Sequence, residues 1–162
     1  MTKIYISEEL RSVLTHNDIN PDTGYTPAYG GESAGLDLFN CSDDVVVKPQ
    51  TDEYNSERTL ISTGLRLFVP LGYVALIQER GSITKTPLKV RAGVIDSGYT
   101  GEVFVNCINT SSQEYTIEKN SKLPFQIVIV KCDNQFDVIS QEEYINLSQS
   151  SRRGDGKIGS SD

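Results

Sequence analysis

One histidine, His16, and three cysteines, Cys41, Cys107 and Cys132, are all that the chain offers for imidazole or thiol chemistry. The cysteines stand at no metal-binding spacing and His16 lies far from each of them. A zinc site and a histidine-based nucleophilic relay are therefore not expected. An odd count of cysteines in such a chain reads as reduced, small apolar side chains. Long apolar runs are missing too. None approaches the ~20 residues that cross a bilayer, and the first residues lack the basic-then-apolar pattern of a secretion signal. The expectation is a soluble chain with no membrane partner, cytoplasmic, or in the host cytoplasm if its source is viral. Basic residues are in short supply: 15 Lys and Arg against 22 Asp and Glu leave a formal net charge of −7. A polyanion would ask for the opposite balance, so nucleic acid is not expected as a partner.

Helical periodicity is scarce as well. Apart from Glu8–Thr15, where Ser7 can cap a short helix with Leu10, Val13 and Leu14 on one face, nothing resembles a long helix. What is present is a series of short β-like runs separated by turn residues: Lys3–Ser7, Ser33–Phe39, Val45–Lys48, Thr59–Ser62, Leu65–Val69, Tyr73–Gln78, Val103–Asn109, Tyr115–Glu118 and Pro124–Lys131. Such spacing predicts an all-β sandwich, jelly roll or barrel. With 162 residues, one domain with a real core is expected over residues 1–148. Residues 149–162 form a Gly-, Ser- and Arg-rich tail, readable either as a disordered end or as a flexible arm that wraps phosphates.

The stretch Arg80–Glu102 concentrates chemistry. Arg80, Lys85, Lys89 and Arg91 precede the first acid, Asp96, and glycines stand at 93, 98 and 101. A local cationic patch in an acidic chain suits a small anionic ligand approached by backbone N–H groups. A β-hairpin with a solvated basic strand is the equal alternative. Asp37, between Leu36 and Leu38, is readable as an outward strand residue or as a placed ligand.

Taken together the pieces resemble the homotrimeric dUTPase family from about Tyr29 to the C-terminus. The first motif is matched by Ser33-Ala34-Gly35-Leu36-Asp37-Leu38. The third is matched by Ala92-Gly93-Val94-Ile95-Asp96-Ser97-Gly98-Tyr99-Thr100-Gly101-Glu102. The fifth is matched by the arm Arg153-Gly154-Asp155-Gly156-Lys157-Ile158-Gly159-Ser160-Ser161. The second and fourth depart from the usual pattern. Glu79-Arg80-Gly81-Ser82 keeps the arginine with glycine in the first serine position, and Lys122 stands four rather than three residues before Gln126. Ile158 replaces the phenylalanine common in the arm.

The resemblance implies a jelly-roll-like β-barrel with a flexible C-terminal arm, assembled as a homotrimer with shared sites. It further implies dUTP hydrolysis to dUMP and pyrophosphate with Mg2+, the route to dUMP that keeps uracil out of DNA. Asp96 would be the catalytic base and Asp37 would reach the metal through water. Arg80, Gly81, Ser82 and Gln126 would bind phosphates, with Arg153, Gly154, Gly159, Ser160 and Ser161 closing over them and Ile158 over the base. Gly93, Val94 and Ile95, within a hairpin strand spanning Val90–Ile95, would read uracil by backbone groups while Arg91 points outward, and Tyr99 would exclude ribose. Two rival readings are a catalytically weakened, nucleotide-binding regulatory protein and a dCTP deaminase. The deaminase family needs a glutamate in the strand after the hairpin, where this chain has VFVNCIN.

Overall fold

The computed structural model describes residues 1–50, 59–133 and 135–150. Among these the chain is mostly strand, in the order β1 (Lys3–Ile6), α1 (Glu8–His16), β2 (Gly35–Phe39), β3 (Val45–Val47), β4 (Thr59–Phe68), β5 (Tyr73–Glu79), β6 (Leu88–Arg91), β7 (Val94–Ile95), β8 (Glu102–Asn109), β9 (Tyr115–Ile117), β10 (Lys122–Lys131) and α2 (Gln141–Ser150). One sheet has the order β1-β4-β8-β6 and a second β2-β10-β5-β7, with β3-β9 as a two-stranded ribbon. The expected all-β, jelly-roll-like architecture is what the chain adopts.

Alternation drives the layering. On β8, Val103, Val105 and Cys107 are buried while Phe104 is exposed. On β10, Leu123, Phe125 and Ile127 point inward. These residues meet Leu65, Leu67, Ala75, Ile77 and Leu38 in one core between the two sheets, each large side chain contributing about 1.5–3 kcal/mol on burial. Helix α1 covers one part of this core with the expected face: Leu10, Val13 and Leu14 are buried, and Ser7 Oγ accepts the Leu10 N–H at 3.2 Å.

Three expectations change. The runs Thr59–Ser62 and Leu65–Val69 belong to one strand, β4, because a bulge between Ser62 and Arg66 absorbs Gly64 without ending the ladder to β8. Val90–Ile95 is not one strand. β6 pairs with β8 in the first sheet, β7 pairs with β5 in the second, and Ala92-Gly93 carries the chain between them. Finally, α2 is a helix where none was expected, and it runs across the 148/149 boundary assigned to the arm. No residue of α2 is buried, and Phe136 and Val138 ahead of it are almost fully exposed.

Candidate active site

The cationic end is built on three neighbouring elements. Asp37 sits mid-strand on β2 opposite Gln126 of β10, which in turn faces Gln78 of β5. Arg80 is the first residue beyond β5, and its N–H donates to the Pro124 carbonyl at 2.9 Å, tying the turn to β10. Its Nε then lies 2.7 Å from Asp37 Oδ1, and Nη1 donates to the Leu123 carbonyl at 3.3 Å. Lys122 Nζ takes the other carboxylate oxygen, Oδ2, at 3.1 Å while lying 5.5 Å above the Phe39 ring. One carboxylate thus holds two cations, and the cluster is net positive.

Asp37 is therefore the centre of an ion-pair cluster with Arg80 and Lys122 rather than a freely solvated strand residue. Beneath it, the buried Tyr25 hydroxyl donates to the Asp37 carbonyl at 2.8 Å, and burial pushes that phenol's pKa up. Gln126 donates through Nε2 to the Glu79 carbonyl at 3.3 Å, and its side chain fills the space where a Cβ at Gly35 would stand. Gly81 and Ser82 open a short 3-10 turn directly after Arg80, both exposed. Asp37, Arg80, Gly81, Ser82 and Gln126 are thus brought together as the motifs implied.

The other end lies on the split hairpin. The Gly93 carbonyl accepts the Ile77 N–H at 2.7 Å, and a Cβ at Gly93 would stand 2.7 Å from the Ile77 carbonyl oxygen. Ala92 takes a left-handed φ of 51° to make the step between sheets. Together Ala92, Val94, Ile95, Asp96 and Tyr99 line a pocket of about 220 Å3. Tyr99 N–H donates to the Asp96 carbonyl at 3.1 Å and its hydroxyl to the Glu102 carbonyl at 2.7 Å, so the Asp96–Glu102 loop closes on itself. Asp96 is exposed, and Arg91 points outward as expected.

A single chain does not unite the two ends. Ile95 pairs with Ala75, and Arg80 lies five residues further along from Ala75, roughly 16 Å at the rise of a strand. Asp96, beyond Ile95, is further still. Arg153, Gly154, Ile158, Gly159, Ser160 and Ser161 lie outside the described residues.

Two residues of the site escaped the sequence reading. Lys122 stands off the usual spacing and was given no role, but a register shift on β10 between Lys122 and Gln126 takes up the difference and leaves the ammonium on Asp37. Glu102 opens β8, so the strand after the hairpin does begin with an acid. Its carboxylate is occupied by Ser62 Oγ–H and the Gly64 N–H.

No group of three or more His, Cys, Asp or Glu among the described residues is placed to hold a metal ion directly. A hard divalent ion carried chiefly by phosphate oxygens and waters asks only for a nearby carboxylate, and Asp37 fits that need.

A family model for dUTPase matches residues 25–162. The chain is 38% identical over 138 residues to the deoxyuridine 5'-triphosphate nucleotidohydrolase of Hydrogenobaculum sp. (strain Y04AAS1), covering 83% of this chain and 88% of that protein. It is 34% identical over 136 residues to the protein of the same name from Dictyoglomus turgidum, covering 79% and 83%. Among solved structures, the dUTPase of Staphylococcus bacteriophage 80alpha with dUpNHpp aligns with a TM-score of 0.73 at 23% identity, over 100% of this chain and 98% of that one. On the match to residues 25–162 and these relatives, the chain belongs to the dUTPase family.

Proposed function

We propose that this chain is a dUTP diphosphatase that hydrolyses dUTP to dUMP and pyrophosphate. The observation that carries the reading is the presence of both a cationic cradle at Asp37, Arg80, Lys122 and Gln126 and a hairpin pocket lined by Ala92, Val94, Ile95, Asp96 and Tyr99, in a chain of this family. Arg80, Ser82, Gln126 and Lys122 hold phosphate oxygens, the arginine already oriented by Asp37 and the Leu123 carbonyl. Asp96 orients a water for in-line attack at the α-phosphorus and takes its proton. Backbone groups at Ala92–Ile95 pair with uracil. Cytosine presents the opposite donor–acceptor pattern there and would leave buried groups unpaired at about 1–3 kcal/mol each. Tyr99 packs under the deoxyribose and leaves no room for a 2′-hydroxyl. Bound Mg2+ would supply charge neutralisation on the triphosphate, and Asp37 is the carboxylate that would hold its waters.

The working form is a homotrimer in which one subunit's Asp96 meets a neighbour's Arg80. Supporting this, Asp96 and Arg80 lie far apart within one chain. In addition, the outer face of the second sheet carries Val74, Leu76, Val94, Val128 and Val130, none of them fully buried. Such an apolar face suits a second copy. Pyrophosphate release from dUTP, dCTP, dTTP and UTP in the presence of Mg2+ tests the activity. dUTP should be hydrolysed far faster than the rest. Comparable turnover of dCTP, or ammonia release from it, would overturn the reading.

A further inference from the structure

A carboxylate outside the proposed chemistry holds the catalytic loop from behind. Glu102 Oε1 accepts both the Ser62 hydroxyl, at 2.5 Å, and the Gly64 N–H, at 3.0 Å. Gly64 offers that N–H because the ladder between β4 and β8 is interrupted there: Ser62 pairs with Phe104 and Arg66 with Glu102, with the bulge between. The carboxylate therefore stands in for the ladder acceptor that the bulge removes. Gly64 takes a φ of +62°, and a Cβ would lie 2.6 Å from Ser7 Oγ and 2.8 Å from Leu10 Cβ, so both conformation and space require glycine. Its carbonyl accepts the Ser7 N–H at 2.9 Å, joining the bulge to the cap of α1.

Forward of Glu102 the same residue anchors Tyr99. The half-exposed ring has one hydrogen bond, from its hydroxyl to the Glu102 carbonyl at 2.7 Å. Gly101 lies directly against the ring, where a Cβ would stand 2.5 Å from the hydroxyl oxygen. The tilt of the ring thus follows the backbone at residue 102, and the backbone at 102 follows the clamp on Ser62 and Gly64. We infer that Glu102 is a positioning residue that sets Tyr99 and thereby the discrimination of deoxyribose from ribose. This role rests on the dUTP reading above, since Tyr99 matters for sugar choice only there.

The test compares kcat/KM for dUTP and UTP, with melting temperature alongside, in the full chain and in Glu102→Ala, Glu102→Gln and Ser62→Ala. Glu102→Ala should lower the preference for dUTP over UTP about tenfold, since a loosened wall rejects an extra hydroxyl poorly. Glu102→Gln should restore the ratio, because its amide oxygen can accept both donors without the charge. Ser62→Ala should move the ratio in the same direction by less. A lower melting temperature with the ratio unchanged in folded Glu102→Ala means that Glu102 only braces the fold, and overturns the role. Should Glu102→Ala not fold, an unchanged ratio in Ser62→Ala overturns it equally. A wild-type chain that does not hydrolyse dUTP would instead overturn the activity itself, which is a separate result.

Discussion

Asp37 and Arg80 meet at 2.7 Å between carboxylate Oδ1 and guanidinium Nε, each with about a quarter of its side-chain surface exposed. That contact joins two strands of the second sheet across β10 and aims the arginine before any ligand arrives. Preorganised charge of this kind raises affinity by removing an ordering cost. Asp37→Asn keeps the shape but weakens the hold on Arg80 and Lys122. Losing charge-assisted hydrogen bonds worth about 1.5–3 kcal/mol should raise KM for dUTP at least tenfold and lower the apparent affinity for Mg2+. Arg80→Lys should behave similarly, since an ammonium cannot serve Asp37 and the Leu123 carbonyl from one planar fork. Steady-state kinetics over a Mg2+ series check both; unchanged KM values would detach this ion pair from substrate binding.

The separation of Asp96 from Arg80 invites a complementation experiment. Asp96→Asn alone should bind dUTP and lose on the order of 10²–10⁴ in turnover, the usual worth of a positioned base. Arg80→Ala alone should lose binding. Co-assembled at equal amounts, the two inactive chains should recover about a quarter of wild-type activity, because a random mixture gives that share of sites with both groups intact. No recovery in mixed assemblies would place Asp96 and Arg80 of one active site in the same subunit.

How far the sequence carried depends on the range of each signal. Helix α1 was legible down to its cap because Ser7 and the Leu10–Val13–Leu14 face are local. Asp96, Tyr99 and the glycines around them were legible as a motif. The junction of Asp37 with Arg80 and Lys122 was not, since it depends on three strands finding register across much of the chain. Gly64 was misread as a strand break because glycine marks turns and bulges alike, and only the partner strand tells them apart. Helix α2 was missed because its apolar residues, Tyr144, Ile145 and Leu147, face no core in this chain and give a weak stripe.

One buried thiol, Cys107, and one partly buried thiol, Cys41, set an upper pH limit. Burial pushes Cys41 up to about 12 and Cys107 up to about 11, against an ordinary 9.0. A group whose folded pKa is raised contributes stability that is intact below its unfolded pKa and is lost as pH rises through the folded one. The melting temperature should therefore fall between about pH 9 and pH 11–12, with the buried Tyr25 phenol adding to the loss from its own ordinary value of 10.0 upward. Cys107→Val with Cys41→Ala should flatten the decline in a pH series of thermal unfolding curves. An equal slope in that double variant would shift the cause to other groups.

The arm offers the sharpest separation of activity from stability. The described chain ends in α2, which buries none of its residues, so the segment leading to the arm contributes little packing to its own subunit. Residues 152–162 carry Arg153, Lys157 and three glycines, a composition suited to closing over a triphosphate. Deleting them should cost turnover on the order of a hundredfold or more, since a closing segment excludes water and fixes the attack geometry. The melting temperature and oligomeric state should barely change. Ile158→Phe in the intact chain should tighten nucleotide binding by about three- to tenfold, the worth of an aromatic contact of ~0.5–1.5 kcal/mol. Calorimetric titration with a non-hydrolysable dUTP analogue reads the second effect and pyrophosphate release the first. A truncated chain that turns over dUTP at the full rate would show that the arm has no catalytic part, whatever its motif.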